Sequence, residues 1–306
     1  MDAFAALTDT LRRQCPGLEL RTDEPMARHT SFRVGGPVRL MALPKTAEQA
    51  TAVVAEAYAL GIVPFYMGNG SNLLVADSGW PGLVVKTFDG LGEISVAGQT
   101  VEAGSGVLLS RLANAALAHG LTGLEFAHGI PGSLGGAVTM DAGAYGGEMR
   151  QVVTETDALT AQGTPVTLRG EAHCFGYRTS AYADGSRLIL RVRLRLEPGE
   201  PEIIRAKMDE LSRCRRAKQP LEWPSAGSTF KRPEGHFAAA LIEQCDLKGA
   251  AIGGAQISEK HAGFLINRGG ASCEDILKLM ALVQEQVCRR TGVVLEPEVK
   301  LLGCKL

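Results

Sequence analysis

The segment from Gly129 to Gly147 constrains the fold of this chain more than any other part of the sequence. Seven of its nineteen residues are glycine, yet Ile130, Leu134, Val138 and Met140 are interspersed among them. Glycine at this density permits positive φ and close approach of the backbone to a ligand. Turns of this kind can aim successive N–H groups into one concavity, which suits a pyrophosphate. The apolar residues predict that the segment is partly buried rather than a flexible linker.

A second segment has the same character, since Gly68-Asn69-Gly70-Ser71-Asn72 lies between the apolar runs 62–67 and 73–75. Two such loops on one chain predict a dinucleotide or another large phosphorylated ligand. The alternative interpretation is two ordinary Gly-rich turns. Neither segment matches G-x-G-x-x-G at the start of a helix or the P-loop pattern. A dinucleotide would therefore bind to something other than a Rossmann unit.

Composition limits the possible classes of protein. A length of 306 residues favours two domains. The net charge of -1 gives no reason to expect a nucleic-acid partner. No run of 18 apolar residues exists, and the first fifteen residues lack the apolar core of a signal peptide. The seven cysteines form no C-x-x-C pair, so spacing indicates neither a zinc site nor a redox dithiol, and the odd, dispersed set suits a reducing cytosol.

Helices and strands are mixed along the chain without regular βαβ spacing, which predicts the α+β class. Helices are expected at residues 46–60, 107–119, 202–218, 236–247 and 272–290. Strands are expected in a hairpin at 94–96 and 100–103, at 188–196, and at 293–302 with an interruption at Pro297. Two prolines and a glycine within residues 197–201 predict a boundary between domains at 1–197 and 198–306.

Three polar residues lie in contexts that could support chemistry. Arg178 is at a loop-to-strand junction, where arginine is usually a surface residue but can also clamp a carboxylate or phosphate. Ser228 follows a glycine in a loop bounded by prolines; it is either a turn hydroxyl or a catalytic group, and no G-x-S-x-G elbow supports a hydrolase. Glu298 is in the last apolar strand, where a buried carboxylate needs a partner and a solvated edge position is the alternative.

Other charged residues have simpler interpretations. The basic end of the helix at 202–218, which includes Lys218, either complements the helix dipole or receives a polyanionic substrate. His128 and His261 are isolated in the sequence, and we interpret both as structural.

Six motifs occur in an order that resembles the UDP-N-acetylenolpyruvoylglucosamine reductase family. They are residues 28–36, 68–74, 129–137, 177–180, 227–233 and 295–299, and the resemblance extends from about residue 26 to 303. It implies an FAD-binding part of the vanillyl-alcohol-oxidase (PCMH) type in two α+β subdomains, with a core at about 33–197. A C-terminal α+β substrate-binding domain is implied to follow.

The resemblance implies that both Gly-rich loops hold FAD. Residues 68–75 contain neither the His nor the Cys through which relatives in this flavin superfamily attach FAD, so the cofactor is expected to be noncovalent. The FAD-binding residues implied are Gly68, Asn69, Gly70, Ser71, Asn72, Gly129, Ile130, Pro131, Gly132, Ser133, Gly135, Gly136, Ala137, Gly143, Ala144 and Tyr145.

The resemblance also implies the reaction and its residues. NADPH would supply hydride through FAD to UDP-N-acetylglucosamine enolpyruvate, giving UDP-N-acetylmuramate for peptidoglycan precursor synthesis in the cytoplasm, with no metal, nucleic acid or membrane involved. Ser228 corresponds to the proton donor, and Arg178 and Glu298 correspond to the residues that bind and polarise the enolpyruvyl carboxylate. Tyr177, Lys218 and Arg232 are the implied substrate-binding residues.

Two departures from the family pattern affect local contacts. Asp141 and Arg232 each stand where the family commonly has Asn, and a charge at position 141 needs a partner. Only ten residues separate Ser180 from Arg191, so the tyrosine-bearing insertion of one class of the family is expected to be absent. Two alternatives remain: another flavin oxidase or dehydrogenase acting on an alcohol, and a nucleotide-sugar-binding protein without catalysis.

Overall fold

The computed structural model describes residues 2–88 and 90–306. These residues form two compact units. Unit 1 comprises the chain up to Thr22, Arg39–Asn69 and Gly82–Arg213. Unit 2 comprises Asp23–Val38, Gly70–Pro81 and Cys214–Leu306.

The described ranges contain seven α-helices and eighteen strands, labelled in chain order. Helices α1 to α7 are Ala3–Gln14, Ala47–Ala59, Leu109–Ala118, Leu134–Thr139, Pro201–Lys218, Ala238–Gln244 and Cys273–Thr291. Strands β1 to β9 are Glu19–Pro25, Pro37–Leu43, Pro64–Met67, Leu73–Val75, Trp80–Lys86, Ile94–Ala97, Thr100–Gly104, Leu121–Thr122 and Gly143–Ala144. Strands β10 to β18 are Gly147–Glu148, Val153–Leu159, Pro165–Arg169, Leu188–Arg195, Glu197–Pro198, Ala251–Ile252, Ala255–Ile257, Leu265–Asn267 and Lys300–Leu302.

Local signals place the ends of two of these helices as the sequence predicts. The Thr46 hydroxyl accepts a hydrogen bond from the Gln49 backbone N–H at 3.3 Å at the start of α2. Ser272 and Asp275 form a capping box at the start of α7, and Gly292 ends that helix with a φ of 74°. The predicted α+β class is confirmed.

The first layer of unit 1 is built on a four-stranded sheet in the order β1-β2-β5-β3, in which β3 and β5 are parallel. Helices α1 and α2 pack against each other beside it. Apolar side chains of both helices and of the sheet form one buried cluster, which includes Leu7, Leu11, Leu40, Val53 and Leu83.

The second layer of unit 1 is a five-stranded antiparallel sheet in the order β12-β11-β13-β7-β6. The predicted hairpin is β6 and β7, and the predicted alternating strand is β13, whose Val192 and Leu194 are buried while Arg191 and Arg195 are exposed. Helices α3 and α4 contact this sheet. Its core connects directly to the glycine-rich segment, because Leu134 and Val138 of α4 belong to the same buried cluster.

Unit 2 has a smaller antiparallel sheet in the order β15-β16-β17, against which α7 packs. Helix α6 contacts α7. A separate parallel pair joins β18 to β4, with Leu301 opposite Leu74. Buried residues of both helices and of these strands form one core, which includes Leu74, Leu241, Ile257, Leu265 and Ile276.

One sequence expectation, the extent of the terminal strand, differs from the structure. The terminal strand expected at 293–302 is confined to Lys300–Leu302, and Pro297 makes only an isolated bridge to Phe230, because proline has no N–H to continue a ladder. Residues Glu197–Pro198 pair with Leu121–Thr122 inside unit 1, and unit 1 extends to Arg213. The division into domains at 1–197 and 198–306 stays a prediction.

None of the helices in residues 2–88 and 90–306 combines the length and the apolar character needed to span a bilayer.

Candidate functional site

The start of the first glycine-rich loop contacts the second loop within unit 1. Strand β3 leads into Gly68 and Asn69, and the Asn69 side-chain amide donates a hydrogen bond to the Pro131 carbonyl at 2.7 Å. A Cβ at Gly68 would overlap the Ser133 hydroxyl. The backbone of the first loop therefore lies directly against the second, as a shared ligand cradle requires.

The larger segment holds helix α4, and its glycines act partly through packing. The Leu134 and Gly135 N–H groups donate to the Val107 and Ser105 carbonyls, each at 2.8 Å. A Cβ at Gly135 would come within 2.8 Å of the Ser105 Cβ. The expectation that the amides of this segment face a ligand is wrong for these two. Positive φ is also rarer than expected, since Gly146 alone among the described glycines of this segment has it.

Two hydroxyls beside these glycines are buried. Ser105 and Ser133 are each 1% exposed, and neither Oγ has a hydrogen-bond partner among the described residues. Ser133 occupies the N-cap position of α4, yet its side chain makes no cap hydrogen bond. Because an unsatisfied buried hydroxyl costs about 1–3 kcal/mol, a bound group that accepts or donates here would remove that cost.

The end of the segment forms a tight hairpin. Strands β9 and β10 pair with Ala144 opposite Gly147, and the two turn residues Tyr145 and Gly146 have φ of 53° and 87°. Two successive residues at positive φ are typical of a type I′ turn, which matches the twist of a hairpin. A Cβ at Gly147 would overlap the Phe126 ring. Tyr145 thus lies at the exposed tip of a hairpin whose strands pack closely against Phe126.

Asp141 has the partner that its charge needs. It is 3% exposed with a φ of 45°, and its Oδ1 accepts from the Arg150 N–H at 2.9 Å while Arg150 Nε lies 2.7 Å from Oδ2. Arg150 also pairs with Glu148 at 2.6 Å. Burial raises the pKa of Asp141, and the contacts with Arg150 oppose that shift. The acidic side chain therefore serves to fix both ends of the β9–β10 hairpin.

Arg178 lies in a tight turn of unit 1. Gly176 and Thr179 exchange backbone hydrogen bonds at 3.0 and 3.1 Å, and Arg178 adopts a φ of 57°. The Ser180 hydroxyl donates to the Thr139 carbonyl at 2.8 Å, which ties the turn to the end of α4. The Tyr-Arg-x-Ser pattern thus has a structural reason, because its serine connects the arginine turn to the glycine-rich segment.

Ser228 and Glu298 are neighbours in unit 2 through the backbone between them. Thr229 is buried, and its carbonyl accepts from the Glu298 N–H at 2.8 Å while its own N–H donates to the Gly263 carbonyl at 2.9 Å. Ser228 itself forms an isolated antiparallel bridge with Phe264. The serine loop is therefore held from both sides.

Asn72 ends the first glycine loop and contacts the same cluster in unit 2. Its side-chain amide donates to the Glu298 backbone carbonyl at 3.2 Å, and its own backbone carbonyl accepts from the Lys300 N–H at 3.1 Å. Its buried Oδ1 has no hydrogen-bond partner in the described part of the chain. A ligand N–H or O–H at this oxygen would satisfy it.

The implied substrate-binding residues are on the surface. Lys218 is the last residue of α5 and is exposed. The Arg232 guanidinium lies 4.4 Å from the centre of the exposed Phe237 ring, and Tyr177 is exposed. None of these placements assigns a ligand, so their roles stay predictions.

Both histidines have structural contacts. His128 Nδ1 lies 3.3 Å from the Ser212 hydroxyl, and His261 packs edge-on against Phe264 at 4.9 Å. Burial lowers the pKa of His261. Within residues 2–88 and 90–306, no three His, Cys, Asp or Glu residues form a group that could hold a metal ion.

Sequence reasoning did not find Ser105, Arg150 or the anchoring contact of Ser180. A serine before Gly106 carries no distinctive signal, and its buried hydroxyl is visible only in three dimensions. Arg150 could have been proposed as the partner of Asp141, because the two residues are nine positions apart around a predicted turn.

Two protein-family models match parts of this chain. A model described as an FAD binding domain matches residues 38–169. A model described as the C-terminal domain of UDP-N-acetylenolpyruvoylglucosamine reductase matches residues 219–302. The first range contains Asn69 and Pro131, through which the two glycine-rich loops contact each other. The second range contains Ser228 and Glu298.

Curated relatives match nearly the whole chain. A UDP-N-acetylenolpyruvoylglucosamine reductase of Clostridium botulinum is 50% identical over 281 residues, which is 92% of each chain. One from Caldanaerobacter subterraneus subsp. tengcongensis is 45% identical over 299 residues, 98% of this chain and 99% of its own.

Solved structures agree with these relatives. The crystal structure of UDP-N-acetylenolpyruvylglucosamine reductase (MurB) from Thermus caldophilus is 34% identical and superposes with a TM-score of 0.80, covering 93% of this chain and 98% of that one. A variant of Phl p 4, a glucose oxidase, is 14% identical with a TM-score of 0.50 over 66% of this chain and 45% of its own, and shares the fold alone. The FAD-binding part has the expected PCMH-type fold.

Replacing Gly135 by Ala tests the packing of α4. Because the new Cβ would meet the Ser105 Cβ and backbone carbonyl, we expect the free energy of unfolding to fall by about 1–3 kcal/mol. Urea unfolding followed by circular dichroism measures this. Gly136→Ala is the matched control, since a Cβ there would meet only the Ser133 hydroxyl at an ordinary 3.6 Å; an equal loss in both variants would contradict the packing argument.

The raised pKa of Asp141 predicts a specific pH dependence. The folded protein holds this proton more tightly than the unfolded chain, whose aspartate has an ordinary pKa of 3.8. The stability from this group is therefore fully present below pH 3.8 and is lost as the pH rises through the higher folded pKa. We therefore compare the free energy of unfolding of the wild type with that of Asp141→Asn. We expect the difference in favour of the wild type to decline as the pH rises from 3.8 through the folded pKa of Asp141. A difference that rises with pH would mean that the Arg150 contact outweighs burial.

Proposed function

The chain belongs to the UDP-N-acetylenolpyruvoylglucosamine reductase family, and on this premise we propose how its residues carry out the family's reaction. The reaction is the reduction of UDP-N-acetylglucosamine enolpyruvate to UDP-N-acetylmuramate in peptidoglycan precursor synthesis. FAD is the cofactor and NADPH is the reductant. The protein is of the shorter class, because only seven residues lie between Ser180 and Leu188, where β13 begins.

The residues of unit 1 fit an FAD molecule on structural grounds. Gly68 lies directly against the Ser133 hydroxyl, and no described residue forms a hydrogen bond with the buried Ser105 and Ser133 hydroxyls. A flavin dinucleotide offers phosphate and ribose oxygens that can satisfy such groups. We assign FAD binding to the loops at 68–72 and 129–145. The attachment is proposed to be noncovalent, since residues 68–75 contain no His or Cys.

When bound, FAD takes hydride from NADPH and delivers it to the enolpyruvyl double bond, so the protein itself needs to bind, orient and polarise. The assignment of these tasks rests above all on one observation: the Thr229 carbonyl accepts from the Glu298 N–H, so the Ser228 loop and the Glu298 segment share one backbone pairing. The backbone at Ser228 and the backbone at Glu298 are thereby held next to each other within unit 2.

Arg178 is proposed to hold the enolpyruvyl carboxylate. A guanidinium can bind both oxygens at once, and negative charge develops at this carboxylate when the double bond is reduced. The turn at Gly176–Thr179 and the Ser180 anchor limit the freedom of its backbone. Donors placed in advance in this way are worth roughly 3–4 kcal/mol each at a transition state.

Ser228 is proposed to protonate the substrate carbon next to the carboxylate, and Glu298 to help polarise that carboxylate. A serine hydroxyl is a weak acid, but the carbon that it would protonate is strongly basic once hydride has arrived. The loop around it is fixed by Thr229, so the hydroxyl can be held in one orientation. Glu298 would have to be protonated or hydrogen-bonded to approach another carboxylate.

The nucleotide part of the substrate is proposed to contact Tyr177, Lys218 and Arg232. All three are exposed and two are cationic, which suits a diphosphate. A cytoplasmic location is also proposed, because the odd number and dispersed positions of the cysteines suit a reducing compartment. The net charge gives no support for a nucleic-acid partner.

The alternative of a flavin oxidase acting on an alcohol has less support. It requires neither a proton donor at Ser228 nor a carboxylate at Glu298, whereas the model of the reductase C-terminal domain covers both positions. The alternative of a nucleotide-sugar-binding protein without catalysis leaves the match to an FAD binding domain unexplained.

Ser228→Ala tests the proton donor and, with it, the proposed reaction. We expect reduction of the flavin by NADPH to be unchanged, because that half-reaction needs no proton from Ser228. Reoxidation by UDP-N-acetylglucosamine enolpyruvate should slow by roughly two to four orders of magnitude. Anaerobic stopped-flow absorbance separates the two half-reactions. Ser228→Cys should retain part of the rate, and equal slowing of both halves would mean that Ser228 only shapes the site.

Arg178→Lys tests the carboxylate clamp. The charge is kept but the two-pronged contact is lost, so kcat/KM for the enolpyruvyl substrate should fall roughly 10- to 100-fold. The rate of flavin reduction by NADPH should not change. Arg195→Lys, at an exposed position of β13, is the matched control and should behave as the wild type. Full activity of the Arg178 variant would remove the clamp from the mechanism.

A further inference from the structure

Two cysteines that are far apart in the sequence lie side by side in unit 2. The sulfurs of Cys273 and Cys304 are 3.6 Å apart, and both are free thiols. Cys273 is the first residue of α7, and Cys304 follows strand β18 by two positions. Sequence spacing indicated no redox dithiol, because these residues are separated by thirty-one positions.

The surroundings of the pair are closely fixed. The carboxylate of Asp77 accepts from the Cys273 and Glu274 N–H groups at 2.8 and 3.1 Å, which anchors the start of α7. Strand β18 pairs with β4, and the Cys304 sulfur lies 3.9 Å from the Leu74 carbonyl. Residues 73–77 are therefore held by β18 at one end and by α7 at the other.

The two thiols differ in access and in acidity. Cys273 is 2% exposed, whereas Cys304 is partly exposed beside the exposed Gly303 and Lys305. The hydrogen bond between the thiols lowers the pKa of Cys304 and raises the pKa of Cys273, and burial raises the pKa of Cys273 further. Since the thiolate is the nucleophile in disulfide exchange, Cys304 is the thiol suited to react first.

We propose that Cys273 and Cys304 form a reversible intramolecular disulfide that locks residues 73–77 between β18 and α7. The oxidant is a low-molecular-weight disulfide such as oxidised glutathione. The Cys304 thiolate attacks one sulfur of the oxidant, whose S–S bond breaks and releases one thiol. Cys273 then loses its proton to solvent and attacks the Cys304 sulfur, which releases the second thiol. The two protein thiols lose two electrons in total, and the oxidant is reduced to two thiols.

The disulfide would stabilise the folded protein mainly by restricting the unfolded chain. It closes a ring of 32 residues, from Cys273 to Cys304, and so restricts the conformations open to the unfolded state. The sulfurs already lie 3.6 Å apart in the folded state and need to approach to the roughly 2 Å of a disulfide bond. We expect the unfolding temperature of the oxidised protein to be higher by about 5 °C.

The primary test is oxidation of the folded, FAD-loaded enzyme in a glutathione buffer, followed by alkylation, digestion and mass spectrometry. The expected result is a linked pair of peptides containing Cys273 and Cys304 in monomeric protein, together with the rise in unfolding temperature. Both should reverse on treatment with dithiothreitol. Absence of the linked peptides from the folded protein, or a linked protein whose unfolding temperature does not rise, would overturn the proposal.

Single variants test the order of attack. In Cys273→Ala, the mixed disulfide with glutathione should accumulate at Cys304, because no second thiol can displace it. In Cys304→Ala, Cys273 should stay reduced, because it is buried. Cys288→Ser removes an exposed thiol elsewhere on α7 and should leave both the linked peptides and the temperature shift unchanged. Glutathione found on Cys273 but never on Cys304 would contradict the assigned order, and the primary test on the unsubstituted protein does not depend on whether the variants fold.

Discussion

The backbone of Gly135 lies against Ser105 with no space for a side chain, and the candidate site of unit 1 depends on this contact. It lets the start of α4 donate two amide hydrogen bonds to residues 105–107. Once α4 is fixed, its other end receives the Ser180 hydroxyl and thereby positions the Arg178 turn. The loop before α4 accepts the Asn69 side chain, which brings in the first glycine loop. A single close approach between two backbones thus organises the cofactor loops and the proposed carboxylate clamp.

In unit 2, the buried residue Thr229 holds the backbone at the two residues with proposed catalytic roles. Thr229 pairs with Gly263 on one side and with Glu298 on the other, and its hydroxyl also accepts from the Leu265 N–H at 3.2 Å. Ser228 precedes it and Glu298 is its hydrogen-bonded partner, so neither can shift without breaking buried hydrogen bonds. Such bonds are costly to leave unmade. The backbone at the proposed proton donor and at the proposed carboxylate is therefore held by buried hydrogen bonds.

Features that depend on neighbouring residues could be predicted from the sequence. The β6–β7 hairpin, strand β13 and the caps at Thr46 and Ser272 all follow from short patterns, and all are present. Features that depend on distant partners could not be predicted. The local apolar pattern suggested a strand from 293 to 302, but Pro297 interrupts the ladder and leaves only Lys300–Leu302 paired. The contact of Asp77 with α7 joins residues 196 positions apart, so no local sequence pattern predicts it.

The cofactor loops illustrate the same limit. Their glycine content correctly indicated tight backbone geometry, but the reason differs from position to position: Gly135 and Gly147 are needed for packing, and Gly146 for its positive φ. The strained positions of the site are instead occupied by residues with side chains. Asp141, Tyr145 and Arg178 have φ between 45° and 57°, at a cost of roughly 1–3 kcal/mol each. Glycine would relieve that strain but would remove the ion pair with Arg150, the exposed ring and the guanidinium. Surrounding hydrogen bonds hold the Asp141 and Arg178 conformations in place, and the ion pair of Asp141 with Arg150 offsets part of the strain at that residue.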